Sequence, residues 1–224
     1  MDHVERLYGF MEGLRHRAWR PGEDQAADAA LRPALVELSR RPDLRDAMLV
    51  KALAPDTDQA RFRLIATRLD GGADSRRRTG DALAVVTDLL DKAWNNPAYD
   101  VKSIVQSSYH QDLPKLFGRM AAWIQPPSDQ AGLRAVAAYV SWMEGDDLTV
   151  FKRYLDALMD VREMDPWADK LSDAFASDTY PAWLESETEE RERSGAVMIA
   201  TGATLDGLAD APSPVAGGSA GLRR

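Results

Sequence analysis

The chain contains no cysteine and only three histidines in 224 residues. The first absence excludes a disulfide framework, a thiolate nucleophile and any zinc site built on sulfur. The second is nearly as restrictive. His3, His16 and His110 stand far apart, without the i, i+4 spacing that turns two imidazoles to one helical face, and HExxH does not occur. No metal and no cofactor are expected. Long apolar runs are missing as well: none approaches the roughly 18 residues of a membrane-crossing helix. Residues 1–19 carry charge throughout, unlike a secretion signal. The expectation is a cytoplasmic protein with no membrane partner.

Basic charge is also scarce. Lys and Arg number 28 against 36 Asp and Glu, a formal net charge of −8. Nucleic-acid affinity rests on clustered cations facing phosphates. The short basic clusters at Arg40–Arg41 and Arg76–Arg78 read as solvated helix ends, so no nucleic-acid partner is expected. Catalytic signatures are equally sparse. No SxxK pairs a serine with a base. Gly71-Gly72 lacks the GK[ST] of a phosphate loop, and the Glu-x-x-His of di-iron bundles is missing. Asp165, Asp169 and Asp173 recur every four residues, which reads as a solvated acidic face with Asp165 as a helix cap. Nothing here seats a reaction.

What is present is a 3.6-residue hydrophobic period over most of the chain. Asp2 is placed to cap a first helix bearing Val4, Leu7, Met11 and Leu14. A second is expected from Glu23 to Ser39, with Pro33 either kinking it or starting a new helix. Pro42 opens a third, with Leu44, Met48, Leu49 and Leu53 on one side, and Pro55 stops it. Thr57 or Asp58 caps a fourth, which Gly71-Gly72 ends. The fifth begins between Asp74 and Asp81 and reaches Trp94. Residues 99–110 suit a short helix or a strand. A helix over 113–124 follows, closed by Pro126-Pro127. Ser128 or Asp129 then caps the next, which stops at Gly145. Asp146 caps its successor, Asp165-Pro166 starts another, and Pro181 heads a last helix whose 185–193 half is charged. Its i, i+4 pairs, such as Glu187–Arg191, read as a solvated face rather than a docking arm. From Thr201 the chain is mostly small residues and cannot offset its ordering entropy by burial, so it is expected to be disordered.

The fold class is thus all-α: a multi-helix bundle or a short array of helical hairpins. Residues 1–125 form an N-terminal helical region. Residues 126–200 hold a helix pair and a C-terminal helix, packed with it as one domain, and 201–224 are tail. Within 131–184, Trp142, Gly145 and Asp146 mark one turn, Ala157 is a small residue inside the second helix, and Asp165-Pro166 marks another turn. This stretch resembles a single tetratricopeptide-type helix pair, without a second copy about 34 residues away. With Leu171, Phe175 and Pro181, it is also similar to the C-terminal part of an actinobacterial domain family of unknown function. The resemblance implies a helical segment and lends no activity. Members of that family carry an upstream α/β portion, to which nothing here corresponds.

Six tryptophans remain: Trp19, Trp94, Trp123, Trp142, Trp167 and Trp183. Sealing the ends of helix pairs is one reading. The other places Trp94, Trp123, Trp142 and Trp167 along a groove that binds a partner. The leading expectation is accordingly a non-catalytic interaction scaffold whose partner is another protein. The rival is a helical enzyme or small-ligand-binding protein with its site at Tyr99, Tyr109, His110 and Asp112. That stretch is the densest mixture of titratable and aromatic groups. A third reading is a phage or plasmid accessory protein.

Overall fold

A computed structural model of the chain describes residues 2–20, 22–70, 75–161, 166–177 and 179–185, except the side chains of 75 and 166–168. The chain divides into Met1–Glu185 and Ser186–Arg224, and the second unit lies outside the described residues. So do the expected tail and nearly all of the 185–193 run.

Among the described residues there are ten α-helices, a further helical turn at 182–185 after Pro181, one 3-10 helix and no strand. The helices are α1 (His3–His16), α2 (Gln25–Glu37), α3 (Pro42–Leu53), α4 (Gln59–Ala66) and α5 (Ser75–Asn95). They continue with α6 (Val101–Ser108), α7 (Leu113–Ala121), α8 (Ala131–Met143), α9 (Leu148–Met159) and α10 (Pro166–Ala176). The all-α expectation holds, and the undecided 99–110 stretch is helical.

Most starts follow from side chains that accept an orphan N–H of the first turn. Asp2, Asp24, Asp58, Asp100 and Asp112 cap α1, α2, α4, α6 and α7 in this way. Four expectations about helix ends need correction. Pro33 does not start a new helix: α2 runs through it, and the Arg6 guanidinium supplies a donor to the nearby Ala30 carbonyl. The fourth helix ends at Ala66, before the Gly71-Gly72 pair, which lies outside the described residues. Neither Ser128 nor Asp129 caps α8. A 3-10 turn over Pro127–Gln130 leads into it, and the donor at Gly132 is met by Ser39 Oγ from the end of α2, 2.8 Å away. Asp147, not Asp146, caps α9, while Asp146 accepts from Ser141 Oγ at 2.7 Å.

Two helices form the centre. α8 is apolar on every side, and all its side chains except Arg134 are buried. A helix without a polar face belongs in an interior. α3 was expected to be one-sided, yet from Asp43 to Leu53 every residue but Asp46 is buried. Its charges are tolerated because they are paired: Arg41 with Asp43 at 2.8 Å, Arg68 with Asp46 at 2.5 Å, and Lys51 with Glu12. α1, α4, α5 and α6 pack around α3, and α7, α9 and α10 around α8. Since α3 also packs on α8, the 1–125 and 126–185 regions share one core.

The closest approach is at Gly132, where a Cβ would lie 2.2 Å from the Leu38 carbonyl carbon. At Gly9 and Gly13, both inside α1, an added methyl would meet nothing within 4 Å. Opposite outcomes follow. Gly132→Ala should destabilise by about 1–3 kcal/mol or more, because backbone cannot move aside. Gly9→Ala and Gly13→Ala should each stabilise by roughly 0.5–1 kcal/mol through helix propensity. Urea midpoints of the three variants check both signs.

Candidate functional site

Several polar side chains gather at the carbonyl end of α3. Lys51, in its last turn, is 1 % exposed and donates to the carbonyls of Pro55 and Thr57. It pairs with Glu12 and lies 5.0 Å over the Tyr8 ring. Arg15 adds donors to the Pro55 carbonyl at 3.0 Å and to Asp56 at 2.8 Å. Burial alone would raise the Glu12 carboxyl; the hydrogen bond and charge of Lys51, with Arg15 behind them, outweigh it and hold that pKa below the usual value.

The Tyr99–Asp112 stretch is drawn into the same task. Tyr109 Oη donates to the Lys51 carbonyl at 2.5 Å, and Tyr99 Oη to the Leu53 carbonyl at 3.1 Å. Burial pushes both phenols upward, so they remain donors. The His110 backbone N–H reaches the Leu14 carbonyl at 3.2 Å, leaving its imidazole exposed. Asp112 caps α7 and stands near Glu144 and Asp146 instead. The two tyrosines therefore meet at α3, whereas Asp112 belongs to another group.

The tryptophans divide as well. Trp142 is buried, stacked on Tyr180 at 5.1 Å and packed on Phe151 at 4.5 Å. Trp123 is half-buried against the core, and the Trp167 side chain lies outside the described residues. Trp94 is half-buried and donates to Tyr139 Oη at 2.8 Å. It lines a cleft of about 500 Å³ with Leu90, Asp91, Tyr139, Lys170 and Leu171. α5 packs on α3 and α4, and the cleft lies between it and Tyr139 of α8 and Lys170 and Leu171 of α10. A second lobe of about 220 Å³ adds Leu49, Leu83 and Val86.

A more apolar groove of about 570 Å³ runs between α1 and α2. Phe10 and Leu31 form its buried floor, and Trp19, edge-on to Phe10 at 5.3 Å, forms one wall. Gly9, Ala27 and Ala30 are the small residues that keep it open, and Glu5 and Arg6 flank it. Nothing in the period-3.6 pattern distinguished this groove. The legible signal was the pair of glycines inside an otherwise regular helix.

Glu144 was also missed. It caps the end of α8 and is 6 % exposed. Burial, then the charges of Asp146 and Asp112, push it up to about 8, against a weaker pull from Lys102. Three acids in four positions at a helix C-terminus, where the macrodipole disfavours carboxylates, were the available clue.

Among the described residues no group of three or more His, Asp or Glu has the geometry to hold a metal ion, and no helix is long and apolar enough to cross a membrane. No protein-family model matches the chain, and neither a curated protein nor a solved structure is similar to it.

The buried cation yields a stability test. Lys51→Met should cost about 3–5 kcal/mol by stranding Glu12 and two carbonyls, and adding Glu12→Gln should return part of that. Glu12's contribution is present above its ordinary pKa of 4.5 and drains as pH falls through the lowered folded value. Denaturation midpoints between pH 3 and 7 should therefore show a flatter acid limb for Glu12→Gln than for the parent.

Proposed function

We propose that this protein is a non-catalytic, cytoplasmic interaction scaffold that receives an amphipathic helix of a partner protein in the groove between α1 and α2. The observation that carries the reading is Gly9. A glycine inside a helix sacrifices stability, and no side chain of the described residues comes within 4 Å of where its Cβ would stand. That space opens onto Phe10, Trp19 and Leu31, an apolar surface with an indole wall of the kind that anchors partners. Small residues on both helices let a partner backbone come close, and Glu5 and Arg6 offer polar contacts at the rim. The net charge of −8 fits a protein partner better than nucleic acid. The likeness of 131–184 to a tetratricopeptide pair, and to the actinobacterial domain family, is part of the same proposal: that hairpin serves as scaffold behind the groove.

A second reading has its own observation. The cleft under α5 mixes Trp94 and Tyr139 with Thr87, Asp91, Asn95 and Lys170, the balance of ring faces and polar groups that suits a small organic ligand. Under this reading the ligand site lies there rather than at Tyr99–Asp112.

Gly9→Leu separates the readings from folding, since it favours the helix while filling the groove. Partners captured by the parent protein under native conditions should be lost with Gly9→Leu and with Ala30→Arg, at unchanged or higher melting temperature. Equal capture by all three proteins would refute the groove. A metabolite that raises the parent's melting temperature, but not that of Trp94→Ala, would favour the second reading.

A further inference from the structure

α5 carries more apolar surface than its packing uses. Ala82, Val86 and Ala93 are buried, whereas Leu83 is 46 % exposed and Leu90 and Trp94 are half-buried. Spacings of seven and four residues put these last three on one helical face. All three line the cleft that Tyr139 and Lys170 bound on the other side. They form a continuous strip rather than scattered side chains, the kind of surface that marks a binding groove. The Trp94 indole is fixed across the cleft by its bond to Tyr139 Oη at 2.8 Å, so that wall is in place before anything binds.

The charges of the cleft are unequal in how far they are already matched. The two lobes share Leu90, Tyr139 and Lys170, which therefore stand where the lobes adjoin. The inner lobe, about 220 Å³, is otherwise lined by Leu49, Leu83, Val86 and Asp46. Asp46 is paired with Arg68 at 2.5 Å, so its charge is met and the lobe suits aliphatic groups. Asp91, in the outer lobe, accepts from Asn95 Nδ2 at 2.7 Å. Lys170 is different. It is exposed on α10, and among the described residues no ion pair or hydrogen bond engages it. An uncommitted ammonium thus stands where an apolar lobe opens. One cation matches one negative charge; a phosphate, with nearly two, would meet the same single cation and two carboxylates.

We propose that the α5 cleft binds a small amphiphilic monocarboxylate, with its aliphatic tail in the inner lobe among Leu49, Leu83 and Val86 and its carboxylate beside Lys170. The assignment rests on the reading of this cleft as a ligand site and adds the class of ligand to it. It uses no residue of the α1–α2 groove, so a partner helix and this ligand can be held together.

Three eight-carbon probes that differ only in the head group test the assignment: octanoate, 1-octanol and octylamine, each titrated at pH 7 into the full chain. The indole N–H signal of Trp94, assigned with Trp94→Phe, reports occupancy of the cleft, and that of Trp19 reports the α1–α2 groove. Octanoate should move the Trp94 signal and not that of Trp19. It should bind about fivefold or more tightly than 1-octanol, since a charge-assisted hydrogen bond at an exposed lysine contributes on that order. Octylamine should bind most weakly. Added salt should weaken octanoate binding and leave 1-octanol unchanged. Lys170→Met should bring octanoate down to the level of 1-octanol, and Lys170→Glu should favour octylamine. Both changes are at an exposed position, so the melting temperature should stay that of the parent. Octylamine or 1-octanol binding at Trp94 more tightly than octanoate, or equal octanoate affinity in Lys170→Met, would overturn the carboxylate while leaving the cleft as a ligand site. A Trp94 signal that none of the three probes moves would overturn both.

Discussion

A helix buried on every side has nowhere to send its last carbonyls, and α3 is such a helix. In water those groups would be satisfied without help; inside a protein each unmet one costs on the order of 1–3 kcal/mol. The molecule meets the demand from distant parts of its chain. Lys51 turns back over the following loop, Tyr109 and Tyr99 arrive from beside α6, Thr57 bonds the Ala54 carbonyl, and Arg15 from α1 completes the loop. Each donor fixes the element that carries it. Several segments are thereby positioned around one helix end, and the α1–α2 and α5 clefts are the spaces left between elements positioned in this way.

The same logic governs the charges. An ion brought into the interior loses its hydration, and only a close partner returns that energy. α3 carries Asp43, Asp46 and Lys51 into the core, each beside an opposite charge. The pairing of Arg68 with Asp46 is not strong enough to offset burial: the Asp46 carboxyl is still pushed upward. Glu144 is the contrasting case, a buried carboxyl given neighbours of its own sign. Where α3 pairs its charges, the end of α8 keeps like charges together.

Interaction surfaces on helical proteins arise where neighbouring helices fail to close on each other. Here the failures have identifiable causes. Gly9, Ala27 and Ala30 are too small to fill the space between α1 and α2, and α5 is held at one flank by α3 and α4 while its other flank faces α8 across a gap. Trp19 and Trp94 stand in these two gaps, half-buried, while Trp142 and Trp183 are interior. The indoles therefore divide between the sealing role and the groove role, and burial decides which.

Helix identity and most helix starts were legible in the sequence, because they depend on local terms: a period of 3.6, an aspartate ahead of most apolar runs, a proline or glycine after many of them. The burial of α3 on every side was not, since its Asp43, Arg45, Asp46 and Lys51 look like a solvated face until their partners are known. The cap expected for α8 failed for a tertiary reason. Ser39, 93 positions from Gly132, takes the place a neighbouring residue was expected to fill, and no local pattern reports a bond across that separation. The candidate site at Tyr99–Asp112 was chosen for its chemical density, and that density is real; only packing decided that its hydroxyls would face α3. Glycines in α1 and clustered acids at the end of α8 were visible as local anomalies. What surrounded them was decided by the tertiary structure alone, because empty space and like-charge proximity are properties of residues brought together from afar.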